Sequence, residues 1–594
     1  MRLGVCALAV SMAVACGGGS RSASSSAPSS EQRRPSSDGD ARVRALADSY
    51  VAGYFERNPD QLTYYGVSGA HHDKLPDNAL DSLNAWHAKE DAWLAEAKEI
   101  DPASIGSAPA RATYAIVREA LEASIGARMC HYELWTVSQF VNAWQVQFGY
   151  LVTIQPVGTD QARHETLARW SALPKYVDTE IANLRRGLQQ GYSAPKGNVR
   201  LVIDQMKTLT SGPIADSPFD SPSVRDTTPE FRKAYDTLVT SQIVPTFNRY
   251  REFLETDYLA AARDAIAVSA NPNGAACYDA SVRYHSSLPK TAKEVHETGL
   301  RQSDAIMAEM KSIADRSFHT SDVPKLLQQL RTDPKYLFKS REDLISYSQA
   351  ALARAKAAMR DWFDLLPKAD VVIQPYPKFR EKSGPNEYNP PAEDGSRPAV
   401  FFINAYMAET KSRAPAEDTA FHETIPGHHL QGAIALERKD IHPIGRYIAN
   451  SGYAEGWALY AERLADEMKL YSSDLDRLGM LSGQALRASR LVVDSGMHTL
   501  GWTRQQAIDF MLAHTAEPHD DIVSEVDRYI IYPGQATAYM LGELEIMKAR
   551  DEAKRAMGPK FDIKGFHDRA LEDGGVPVTF LHDKVRAWAA GGTR

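Results

Sequence analysis

Cysteine, surplus positive charge and long apolar runs are what this sequence has least of. Four cysteines in 594 residues are too few for a disulfide-built scaffold, so an ordinary hydrophobic core must carry the fold. Lysine and arginine total 68 against 76 acidic residues, a formal charge of −8, which removes the basic footprint that nucleic-acid binding requires. One apolar run stands out, LGVCALAVSMAVA near the start, and it is too short to span a bilayer. No other run is long and apolar enough to do so, and no internal repeat is evident. What remains is ordinary globular composition, 43% hydrophobic and 24% charged, over a length that calls for more than one subdomain. Tyrosine (26) exceeds phenylalanine (18), a balance suited to polar clefts.

The apolar run follows Arg2 and ends in Ala13-Val14-Ala15-Cys16, which resembles a bacterial lipobox with Ala where Leu is commoner. Residues 1–16 therefore read as a lipoprotein signal peptide with Cys16 as the lipidation site. Residues 17–40, rich in Gly, Ser and Pro, read as a flexible tether. A cleaved signal without lipid is the competing reading. The expectation is an exported, lipid-anchored protein of the cell envelope, on the periplasmic side. In an oxidising compartment the two remaining cysteines, Cys130 and Cys277, are candidates for a disulfide, with two buried thiols as the alternative.

Helical periodicity dominates. ARVRALADSYVAGYFERN, ALDSLNAWHAKEDAWLAEAKEI, KTAKEVHETGLRQSDAIMAEMKSIADRS, REDLISYSQAALARAKAAMRDWFDLL and the run from Leu478 to Leu500 carry apolar residues at threes and fours. Prolines and glycines exclude a helix over residues 374–398, after which AVFFIN reads as a strand. Such a strand can form a sheet edge that pairs with an extended peptide, or it can be a plain core strand. The expected fold is mainly α, a large helical peptidase-like fold with a small β-sheet beside a metal-binding helix. A soft boundary near residue 370 separates a helical half, 41–370, from a half bearing the site, 371–594.

That site centres on FHETIPGHHL, residues 421–430. His422-Glu423 opens like a zinc-peptidase HExxH helix, but Pro426 stands where the second histidine belongs, and His428 and His429 come late. On a regular helix, residues six apart point about 240° away from each other and residues seven apart are separated by about 10.5 Å. Neither can share one ion with His422, since ligand nitrogens lie about 2.0–2.1 Å from zinc. Pro426 removes an N–H and crowds the His422 carbonyl, and Gly427 frees the backbone. A bulge absorbing two residues brings His428 to the metal; one absorbing three brings His429. Taken alone, the stretch also reads as a kinked helix with surface histidines.

Downstream, SGYAEGWALYAERLADEM places Glu455 on a helix that can return beside the first, completing a His/His/Glu site with a position left for water. Glu462 is a second candidate or a partner of a ligand. Asp494 and His498, four apart, can pair, leaving His498 as an oxyanion donor. Tyr532, Gln535 and Tyr539 recur at helical spacing below Arg528, with Arg528 suited to a substrate carboxylate. Each, taken singly, also has a purely structural reading.

The stretches HETIPGHH, YAEGWALYAE, DSGMHTLGW and RYIIYPGQATAYMLG, with NPPAEDGSRPAVFFIN and NPNGAACYDASVRY, resemble the bacterial domain-of-unknown-function family 885 over nearly the whole chain after the tether. AEGWA is similar to the NEGFA-type segment carrying the glutamate ligand of zinc aminopeptidases. The resemblance implies a mostly helical, gluzincin-type zinc peptidase. The resulting expectation is one zinc per chain on His422, His428 and Glu455, with His429 as the substitute ligand. Glu423 is the general base, His498 and Tyr539 stabilise the oxyanion, and Arg528, Tyr532 and Gln535 bind a short peptide. The rival is a catalytically inactive peptidase-like binding lipoprotein.

Overall fold

The computed structural model describes residues 38–376 and 386–591. The leader, Cys16 and most of the tether lie outside the described residues. Each sequence segment with threes-and-fours periodicity is a helix, and side-chain caps mark several starts. Ser107 caps the helix Ala108–Ala127, which packs with Asp38–Arg57 and Leu80–Glu99. Cys130 and Cys277 are joined by a disulfide. It ties the loop after Ala108–Ala127 to α1 (Gly274–Ser286).

A capping box of Thr291 and Glu294 opens α2 (Ala292–Ile313), and Ser340 caps α3 (Arg341–Trp362). Three strands follow: β1 (Val371–Pro375), β2 (Glu387–Asn389) and β3 (Ala399–Ile403). β3, the AVFFI segment, lies in the middle, parallel to β1 and antiparallel to β2. The expected peptide-pairing edge is therefore not there: both backbone edges of β3 are already paired, and the sheet's edges belong to β1 and β2.

Beyond the sheet come α4 (Ala416–Glu423), α5 (His428–Glu437), α6 (Ser451–Glu467) and α7 (Asp474–Thr499). They are followed by α8 (His519–Ile531) and α9 (Ala538–Met557). α7 is buried along nearly all of its length against α2. One hydrophobic cluster runs from Val43 to Val585 and crosses residue 370 without a break. A smaller cluster joins the end of α7 to α8. Among the described residues no helix is long and apolar enough to cross a membrane.

Candidate metal and catalytic site

The chain breaks completely between His422 and His428, rather than bulging within one helix. α4 ends at Glu423, Thr424 leaves helical geometry, and α5 begins at His428. Gly427 is required here for lack of space: a Cβ on it would lie 2.0 Å from the His422 carbonyl oxygen. Its φ of −83° is ordinary, so the demand comes from close backbone approach and not from a left-handed turn. The Gly427 N–H donates to the Phe421 carbonyl and the His429 N–H to that of Thr424. The Trp457 indole N–H on α6 donates to the Pro426 carbonyl at 2.9 Å, pinning the turn to the helix that carries Glu455.

This turn brings His422, His428 and Glu455 together, with one ligand atom from each within 4.8 Å of the others. His422 Nε2 lies 3.8 Å and His428 Nε2 3.2 Å from Glu455 Oε2. That oxygen is buried, with the His428 imidazole as its nearest polar neighbour. The His428 and Glu455 side chains are 19% and 21% exposed, so the cluster is open on one side. Behind it, Glu462 accepts from His422 Nδ1 at 2.8 Å and from the Gln484 amide at 3.1 Å. Glu462 is thus the partner of His422 and lies outside the His422–His428–Glu455 cluster.

The site is electrostatically tense. Burial disfavours the charged carboxylate of Glu423, whose pKa stands at about 7; the nearby Glu455 pushes the same way, while His428, Arg487 and the Tyr388 N–H pull it back. Burial also opposes charge on Glu455, yet the His428 and His422 imidazoles outweigh it and hold the carboxyl at about 2. Burial holds His422 well below the usual histidine range, helped by the neighbouring His428.

His429 faces away from the cluster. Its Nε2–H donates to the Ala369 carbonyl and its Nδ1 accepts from the Tyr388 hydroxyl, each at 3.0 Å. It fastens β2 to α5, and of the two histidines it is His428 that stands beside His422 and Glu455. His498 also departs from its expected role. It is fully buried, with Nδ1 accepting from the Val268 N–H and Nε2–H donating to the Tyr529 carbonyl, both at 2.9 Å. No N–H is left for an oxyanion. Asp494 lies 3.7 Å from its Nε2 and instead accepts from the Tyr278 hydroxyl and the Gly534 N–H.

Arg528, Gln535 and Tyr539 do meet, although no single helix carries them. α8 ends at Ile531, Gly534 takes a φ of +79°, and Tyr539 sits on α9. Arg528 donates to Gln535 Oε1 and, at 3.3 Å, to the Tyr539 hydroxyl. Tyr532 turns the other way. Its ring packs edge-on against His285 and lines a cavity of about 570 Å³ together with Tyr284, Tyr447 and Ser451. Ser451 stands one turn before Glu455 on α6, but none of His422, Glu423, His428 and Glu455 lines this cavity.

A family model described as "Bacterial protein of unknown function (DUF885)" matches residues 59–585. The chain belongs to DUF885. Among solved structures, a candidate lipoprotein from Colwellia psychrerythraea is similar at 24% identity and a TM-score of 0.86, covering 93% of this chain and 99% of that one. A candidate lipoprotein of unknown function from Shewanella oneidensis is similar at 17% identity and a TM-score of 0.71, covering 91% and 99%. At these identities the likeness shows a shared fold. No curated protein matches the chain.

This DUF885 member carries further polar groups at the site that the sequence reading passed over. Arg487 and Arg490 on α7 face α6 and α8: Arg487 Nη2 lies 3.7 Å from Glu462 Oε1. Arg490 donates to the Tyr529 hydroxyl at 2.9 Å and to Glu525 at 2.8 Å. Their signal was present in LSGQALRASRLVV, where two arginines three apart are the only charged residues of the stretch. Charged residues buried in such a helix need partners, and these face the site.

Proposed function

We propose that the chain is a zinc-dependent peptidase of the cell envelope that hydrolyses short peptides. The observation that supports it is the convergence of His422 Nε2, His428 Nε2 and Glu455 Oε2 beside the Glu423 carboxyl. The donor set suits zinc. Tetrahedral ligands at about 2.0–2.1 Å lie roughly 3.3 Å from one another, and the two measured separations, 3.2 and 3.8 Å, are close to that. A bound ion would also meet the buried Glu455 Oε2, whose nearest polar neighbours are the two imidazoles. Glu462 fixes the His422 tautomer with Nε2 free to coordinate, the usual arrangement behind a metal-bound histidine.

Bound zinc supplies a Lewis acid that polarises a carbonyl and acidifies water. Glu423, next in the chain to His422, accepts the proton of the attacking water and passes it to the departing amine. In this reading the Tyr539 hydroxyl donates to the developing oxyanion and Arg528 holds an anionic part of the substrate. The resemblance of HETIPGHH and AEGWA to gluzincin-type segments supports the same chemistry. Envelope residence is supported by the lipobox-like leader, by the disulfide and by the lipoprotein descriptions of the two similar structures.

Metal analysis combined with peptide digestion tests the proposal. The purified chain is expected to hold about one zinc and to cleave members of a short-peptide library. Cleavage should cease with chelator and return with zinc. Failure to take up any transition metal at neutral pH ends the proposal. Stoichiometric metal without cleavage selects a binding lipoprotein instead.

A further inference from the structure

We propose that Arg490 and Arg528 together bind the free C-terminal carboxylate of a short peptide, so that the site releases a one- or two-residue C-terminal fragment. The inference rests on the peptidase reading and adds where its substrate is anchored.

The two guanidinium groups come from different helices and are almost wholly enclosed, with side chains 6% and 7% exposed. They converge on Tyr539. The Arg490 guanidinium carbon stands 4.5 Å from the ring centroid, and Arg528 Nη2 is 3.3 Å from the hydroxyl. They share one carboxylate, Glu525, which Arg490 reaches at 2.8 Å and Arg528 at 3.2 Å. Their other contacts are neutral: Tyr529 for Arg490, and Gln535 and the Phe140 ring for Arg528. Glu525 is the carboxylate that both guanidinium groups bond directly, and the Glu455 carboxylate lies further off within the field of Arg528. Arg490 Nη1 and Arg528 Nε are buried and have no hydrogen-bond partner. Buried N–H groups without acceptors are costly, so these two are open to the oxygens of one further acceptor. A carboxylate supplies a single charge and two in-plane oxygens that match guanidinium geometry.

The position is right for the end of a substrate. Tyr539 lies one turn before Gly542 on α9, and a Cβ on Gly456 of α6 would sit 2.5 Å from the Gly542 carbonyl carbon. Glu455, next to Gly456, and Tyr539 therefore flank the same tight helix crossing. A peptide residue spans about 3.3–3.6 Å, so a carboxylate held beside Tyr539 sets the carbonyl of the last or second-last peptide bond near the ligand cluster. Hydrolysis there breaks the C–N bond, with the water hydroxyl joining the acyl carbon and its proton leaving on the amine.

The test pairs peptides of identical sequence bearing a free C-terminal carboxylate or a C-terminal amide, offered to the zinc-loaded mature chain. The free acid is expected to lose one or two C-terminal residues by mass spectrometry, with kcat/KM roughly 10- to 100-fold above the amide, the scale of a lost charge-assisted contact. Equal rates on the two forms, or cuts at internal bonds, overturn carboxylate anchoring while leaving the peptidase reading in place. Calorimetry with the same pair and a Glu423→Gln variant gives a second readout. Binding of the free acid at least about tenfold tighter supports the anchor even if nothing is cut, in which case it is the hydrolytic reading that fails. Equal binding, or none, overturns the anchor.

Discussion

Glu462 Oε1 accepts the Nδ1–H of His422 at 2.8 Å, and both groups are buried. The bond leaves Nε2 as the free lone pair and aims it toward His428 and Glu455. Removing such a partner usually lowers metal affinity by about 10- to 100-fold. Glu462→Ala is expected to weaken zinc by that amount in chelator competition, and Glu462→Gln, which still offers an acceptor oxygen, by less. Wild-type affinity in the alanine variant would show that His422 does not use Nε2 as a ligand atom.

Glu423 precedes the break in the chain and carries a carboxyl that burial raises to about 7. Glu423→Gln keeps shape and hydrogen bonding but removes the base. The variant is expected to retain zinc and fold while losing peptide hydrolysis by on the order of 10²-fold or more. Hydrolysis of a validated substrate at the wild-type rate would rule out Glu423 as the base, whatever the metal content.

Gly427 has the His422 carbonyl oxygen 2.0 Å from where a Cβ would stand. Gly427→Ala must push the turn outward and move His428 with it. The expected cost is about 1–3 kcal/mol in chemical unfolding, with a parallel loss of zinc affinity. An alanine variant with unchanged affinity would mean that ligand convergence does not depend on this close approach.

The HExxPGHH segment announced an interrupted helix because proline and glycine have backbone consequences that can be read locally. Which histidine follows the break was not local information. It depends on the Trp457 bond to Pro426 and on the Ala369 and Tyr388 bonds that draw His429 away. Likewise Asp494 and His498 have the spacing of an interacting pair, but long-range backbone partners at Val268 and Tyr529 claim both ring nitrogens. Helices were legible because their periodicity repeats over many residues. The place of β3 was not, because pairing partners separated by an irregular loop leave no periodic trace.

Cys16 follows the lipobox-like triplet. Cys16→Ser is expected to abolish incorporation of labelled fatty acid and to release the protein from the membrane fraction. Absence of label in the wild-type protein would assign the leader to ordinary secretion.

His498 gives a pH prediction of definite sign. Burial is the main cause of its depressed pKa, about 4, against the ordinary value near 6.5. As pH falls below about 6.5 the unfolded chain takes up a proton at this histidine, while the folded chain does so only near pH 4. The stability tied to its neutral form is therefore complete above pH 6.5 and drains away between 6.5 and 4, by about 3 kcal/mol in all. His498→Gln retains a donor and an acceptor but does not titrate. In urea unfolding the variant is expected to be less stable than wild type at pH 7.5, with the gap narrowing by pH 5. A gap that stays constant over this range would show that His498 does not drive the acid loss. Peptide turnover by the folded variant should keep its kcat, because both ring nitrogens hold backbone and neither faces the ligand cluster.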